Sequence, residues 1–165
     1  MSIAFRIRVP VLLVCAWLPA ASAIARVGEA EVREGPRGGP CFTITPREER
    51  LGTPDFQAIV VWEGARPVWK MTMPKERTFA LTFGMCVPYG GRAASLPRTA
   101  SAPLAPGRVY TLRIEARPGG NGRTASSYEA RFCLARQHDG SAVVHQIWNG
   151  EREGPHMYGC LPPGD

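Results

Sequence analysis

The chain has 165 residues, with 18 Gly, 16 Pro, 21% charged residues and a formal net charge of +6. That composition suits one globular domain and excludes a collagen-like or charge-driven disordered chain. The Arg residues are scattered rather than clustered on one element with aromatics between them, so the footprint of a nucleic-acid binder is absent.

The N-terminus reads as a secretory signal over residues 1–23. Arg6 and Arg8 give its basic flank, Val9 to Leu18 its apolar segment, and Ala21-Ser22-Ala23 a small-residue cleavage site. The apolar run is shorter than the roughly 20 residues of a membrane span. Leu12 to Cys15 departs from a lipoprotein box, because Val14 is not small and the apolar run continues beyond Cys15. The expected product is a soluble periplasmic or secreted domain over residues 24–165. With Arg6 and Arg8 removed, it keeps 18 basic against 14 acidic residues.

Four cysteines then remain: Cys41, Cys86, Cys133 and Cys160. An even count in an exported domain implies two disulfides. The wide spacing lacks the close Cys pairs of a zinc site.

In chain order, a Gly- and Pro-rich opening surrounds a short strand, Cys41 to Thr45. Glu48-Glu49 between Arg47 and Arg50 reads as a solvated charge run. Phe56 to Glu63 is apolar on both faces, as a central strand should be, and a Gly-Ala-Arg-Pro turn joins it to Val68–Met73. Thr78 to Val87 places Phe79, Leu81 and Phe83 on one face of a further strand that ends at Cys86. A long crossover rich in Pro, Gly, Ala and Ser follows.

Tyr110, Leu112, Ile114 and Ala116 alternate with Thr111, Arg113 and Glu115, the pattern of a half-buried strand. Leu104, Pro106, Gly107 and Tyr110 ahead of it match a tyrosine corner. There the phenol bonds back to the crossover backbone and ties it to a sandwich. Tyr128 to Ala135 and Ala142 to Trp148 supply two more strands. About eight strands at this spacing predict an all-β, immunoglobulin or fibronectin type III-like antiparallel sandwich with an extra C-terminal strand. In such a sandwich the start of strand B lies near the end of strand E, which pairs Cys41 with Cys86 and leaves Cys133 with Cys160. Sequence alone permits three pairings.

No catalytic constellation emerges. There is no G-x-S-x-G elbow, and His138, His145 and His156 lack metal-ligand spacing. His138 beside Asp139 reads as a turn, and His145 as a half-buried strand residue. The expectation is a non-enzyme without metal or cofactor. Carboxylates brought together from separate strands keep a hydrolase as an alternative. The segment Arg117 to Arg123 follows a strand but precedes no helix, so it reads as an exposed loop rather than a phosphate cradle. Residues available for partner contact are Trp69, Arg117, Arg123, Trp148 and Tyr158, since aromatics and Arg anchor interfaces.

Five segments, Gly39–Ile44, Trp69 after a short turn, Met85–Gly90, Gly107–Ile114 and Tyr128–Leu134, give the chain a resemblance to the immunity proteins of type VI secretion systems. These are small periplasmic proteins, often lipoproteins, and the lipobox is the feature this chain departs from. The resemblance implies a protein that binds and neutralises a toxic effector, and implies no catalytic residues. An envelope adhesion or assembly module, adding a partner strand to an open sheet edge, is the alternative binding reading.

Overall fold

The structure, a computed structural model, describes residues 26–36, 38–91, 100–119, 123–148 and 160. The predicted leader, residues 1–23, lies outside the described residues, as does Tyr158. Among the described residues, nine strands and one five-residue helix run in the order β1 (Val27–Glu34), β2 (Pro40–Ile44), α1 (Pro46–Arg50), β3 (Asp55–Glu63), β4 (Arg66–Thr72), β5 (Phe79–Ala80), β6 (Val87–Pro88), β7 (Val109–Arg117), β8 (Ser127–Arg136) and β9 (Ala142–Ile147). The protein is all-β, as its patterning predicts.

The strands form one hydrogen-bonded path, β4-β3-β7-β8-β1-β2-β6, with β5 continuing beside β3 and β9 beside β8. This differs from the expected antiparallel sandwich: the strands make one mixed sheet in which β1 pairs with both β8 and β2, parallel to β8 and antiparallel to β2. The sheet curls so that Phe42 of β2 meets Trp69 of β4 at 6.1 Å and Phe132 of β8 at 5.6 Å between ring centroids.

The core follows from alternation. On β7, Tyr110, Leu112, Ile114 and Ala116 are buried and Thr111, Arg113, Glu115 and Arg117 are exposed. Phe42, Phe56, Ile59, Leu112, Ile114 and Phe132 are fully enclosed. Each contributes about 2–3 kcal/mol of apolar burial. β2 is buried on both faces. Its outward Thr43 hydroxyl donates to the Thr82 carbonyl at 2.8 Å, and Cys41 is joined to Cys86, so the segment after β5 lies across it.

That capture breaks the single strand expected over Thr78–Val87 into β5 and β6. Phe83 N–H donates to Glu49 Oε1 at 2.9 Å, and Arg33 donates to the Phe83 carbonyl at 2.9 Å while stacking on its ring. With its backbone held by side chains, Phe83 has no need of a strand partner.

At the tyrosine-corner residues, Tyr110 is buried and its Oη accepts from Ala105 N–H at 2.8 Å. Leu104 packs half-buried against the core, and Pro106 is exposed at the bend. Gly107 has φ +78°, a left-handed conformation that glycine adopts freely, and its N–H donates to the Leu134 carbonyl at 3.0 Å. The second disulfide joins Cys133 to Cys160. The Cα–Cα distances of 5.5 Å and 5.6 Å in the two bridges are ordinary for cystine. Two disulfides belong to an oxidising, extracytoplasmic compartment. Among the described residues no helix is long and apolar enough to cross a membrane.

Candidate functional site

One edge of β8 is shared by two strands. Val27–Glu29 of β1 pair with Ser127–Glu129, and β9 pairs with Arg131–Arg136. The two partners diverge at Ala130. Where neighbouring strands part, neither covers the edge between them, and a crevice opens. Here it is a cleft of about 550 Å3, with Val27, Glu29, Arg47, Arg131 and Trp148 among its walls.

Gln146 of β9 closes the base of this fork. Its Nε2 donates to the Ala30 carbonyl at 3.1 Å, and its Oε1 accepts from Val32 N–H at 2.6 Å. One wall is fixed by an ion pair. Arg26 donates to both oxygens of Glu48, at 2.8 Å and 2.7 Å, and to the Arg123 carbonyl at 3.1 Å. Glu48 is 4% exposed, and its hydrogen bonds raise the Arg26 pKa further above its ordinary value. The pair thus ties the start of β1, helix α1 and the loop after β7 into one rim.

Local sequence explains the placement of Glu48. Thr45 caps α1, its hydroxyl accepting from Glu48 N–H at 3.3 Å, with Pro46 opening the helix. Thr-Pro-Arg-Glu is therefore the Thr-x-x-Glu spacing of a helix start, and this was the signal for Glu48. The expected solvated charge run is corrected: Glu48 is buried on Arg26, and Glu49 holds Phe83. Gly28 lets β1 approach, because a Cβ there would fall on the Tyr128 ring. Burial in turn pushes the Tyr128 phenol up from its ordinary pKa.

The cleft is apolar and charged by turns. Val27 and Trp148, 53% and 45% exposed, are two of the three large exposed apolar side chains among the described residues. Around them stand Arg47, Arg131 and Glu29, while Glu129 pairs with Arg113 at 3.5 Å. Such a surface offers both apolar area to desolvate and polar contacts. Among the described residues, no three His, Cys, Asp or Glu side chains converge as a metal site would require.

The partner residues expected from sequence separate. Trp148 lies in the cleft, and Arg123 contributes a carbonyl to its rim. Arg117 is exposed at the end of β7, opposite Asp55, and is not part of the cleft wall. Trp69 is corrected: at 2% exposure it packs between Phe42 and Tyr89 and is unavailable to a partner. Arg26, Val27, Arg47, Arg131 and Gln146 were missed, since no local motif marks residues that only the fork assembles.

No protein-family model matches the chain, and no curated protein or solved structure matches it either. The resemblance to type VI immunity proteins therefore rests on its five short segments.

Proposed function

We propose that this is a non-catalytic, extracytoplasmic binding protein whose partner is another protein, most specifically a toxic effector that it neutralises. The observation that carries the reading is the fork cleft. Exposed Val27 and Trp148 share one rigid concavity with Arg47 and Glu29, on a sheet stapled by disulfides. A surface fixed before binding loses little conformational freedom when a partner docks. Trp and Arg, both present in its walls, are residue types that dominate interface energetics.

A strand-adding adhesin receives less support at the β4 edge. The outer edge of β4 is occupied where Ala102 N–H donates to the Val68 carbonyl at 2.9 Å. Exposed Pro67 and Lys70 flank that contact and discourage pairing along the rest.

The test is deletion of the gene in its own host, followed by competition with sister cells. The deletion strain is expected to be intoxicated, rescued by the wild type and not by Trp148→Arg. A deletion strain fully resistant to its sisters overturns the effector reading. Full rescue by a stable Trp148→Arg protein overturns the assignment of the cleft.

A further inference from the structure

A second concavity lies on the outer face of the same sheet. Trp62 of β3, Thr111 of β7, Arg131 of β8 and Ile147 of β9 are successive cross-strand partners, so one row of side chains crosses four strands. Three spacings of about 4.8 Å separate its ends by roughly 14 Å. The fork cleft takes in Ile147, Arg131 and Thr111 of this row. At the Trp62 end is a shallow hollow of about 300 Å3, walled by Trp62, Gly64, Ala65, Thr111, Arg113 and Glu129.

The local backbone explains why this Trp is not simply packed away. Val61, the residue before it, faces the core and is fully buried, whereas Trp62 points outward beside exposed Thr111. Pairing with β4 shifts register between Val61 and Trp62, an irregularity of the kind that re-aims a side chain. The β3–β4 turn beyond is Gly64-Ala65. Gly64 has φ +56°, and no atom beyond its own chain neighbours lies within 4 Å of where its Cβ would stand, so the space above the turn is open.

The chemistry of the walls selects a ligand class. The charged side chains of the lining, Arg113 and Glu129, are paired at 3.5 Å and equally exposed, so they present donors and acceptors together without net charge. A free anion or cation gains nothing there. An apolar side chain would meet one ring and mostly polar or small neighbours. A hydroxylated ring fits both parts: its C–H face lies on the indole, and its hydroxyls, each donor and acceptor, match the guanidinium, carboxylate and Thr111 hydroxyl. The volume is at the small end of small-molecule pockets.

We propose that the Trp62 hollow is a binding subsite for an uncharged, hydroxylated sugar ring. It adjoins the protein-binding cleft, with which it shares Thr111 and Glu129, but Trp62, Gly64, Ala65 and Arg113 line the hollow and not the cleft.

The probe is chitotriose, titrated into the disulfide-bonded protein and followed by amide and indole NMR shifts. Saturable shifts are expected at Trp62, Thr111 and Arg113. Trp62→Ala is expected to weaken binding at least tenfold, while Trp62→Tyr, which keeps a ring face, retains most of it. Arg113→Ala, an exposed substitution that leaves the fold intact, is expected to weaken binding at least threefold. Trp148→Ala should leave sugar affinity within twofold of the wild type. Absence of saturable binding overturns the subsite, as does wild-type affinity in both Trp62→Ala and Arg113→Ala. Loss of binding in Trp148→Ala alone would place the sugar in the fork and also overturn it. Because Trp62→Ala is expected to rescue an intoxicated deletion strain and Trp148→Arg is not, failure of the sugar subsite is distinguishable from failure of the effector reading.

Discussion

Gln146 accepts a 2.6 Å hydrogen bond from the Val32 N–H, doing for β1 what the backbone of a neighbouring strand would do. The Thr45 N–H bond to the Glu29 carbonyl shows that odd-numbered residues of β1 face β2. Ala30 and Val32 must then direct their backbone groups the other way, past the point where β8 has been left behind. The amide of Gln146 sets a carbonyl oxygen beside an NH2 group, and the two satisfy the Val32 N–H and the Ala30 carbonyl. Gln146→Ala leaves two buried backbone groups without partners and is expected to cost about 2–4 kcal/mol. Gln146→Glu retains the acceptor but sets a carboxylate against the Ala30 carbonyl, and it should be no milder. Urea unfolding measures the cost, and loss of hydrogen-exchange protection at Val32 N–H locates it.

The Arg26–Glu48 pair is asymmetric, with side-chain exposures of 42% and 5%. Removing the cation strands a buried carboxylate, whereas neutralising the acid leaves an Arg that water can reach. Arg26→Ala is therefore expected to destabilise by about 1–3 kcal/mol, below the cost of breaking a fully buried pair because Arg26 is half-exposed. Glu48→Gln should cost less than Arg26→Ala in the same unfolding assay. A reversed order would show that the buried acid does not depend on its cation. Both variants should loosen the loop at Arg123, seen as faster proteolysis there.

Much of the fold was legible because its long strands carry strong periodicity. Tyr110 to Ala116 alternates cleanly, and the residues around it form the turn that ties Tyr110 to Ala105. β1 was not legible. Its inward positions are Gly28, Ala30 and Val32, too small to stand out, and its outward ones include Glu29, Glu31 and Arg33. The candidate site depends on that same strand, so it was hidden with it. Trp148 was visible as an aromatic at a strand end. Trp69 looked equivalent in sequence, and only its contacts with Phe42 and Tyr89 distinguish a core ring from a surface one.

The two disulfides should differ in what their loss does to function. In the chain-entropy model the Cys41–Cys86 bridge, closing a separation of 45 residues, stabilises by about 4 kcal/mol, and the Cys133–Cys160 bridge, closing 27, by about 3.5 kcal/mol. Their surroundings differ more. Cys133 and Cys160 share a small buried cluster with Ile147, a cleft residue next to Trp148. Paired Cys→Ala variants should lose comparable stability by urea titration. Partner binding by the folded protein should fall with Cys133→Ala/Cys160→Ala and persist with Cys41→Ala/Cys86→Ala.

Tyr89 sets an alkaline limit on stability. Its hydroxyl donates to the Ala102 carbonyl at 2.7 Å, with the Val68 carbonyl at 3.2 Å, so ionisation removes a bond that closes the crossover over β4. Burial, with a smaller effect from Tyr110, pushes its pKa up from 10.0 to about 12. The folded state thus holds the proton more tightly than the unfolded chain. The resulting stability is present in full below pH about 10 and is lost as pH rises from there through about 12. The raised pKa of Tyr128 acts in the same sense. Tyr89→Phe should be about 1 kcal/mol less stable at neutral pH from the lost hydrogen bond. Its stability should decline less steeply than the wild type's above pH about 10. Urea unfolding on either side of that pH, with tyrosinate absorbance followed in parallel, gives both slopes. Equal slopes would show that Tyr89 ionises as readily folded as unfolded.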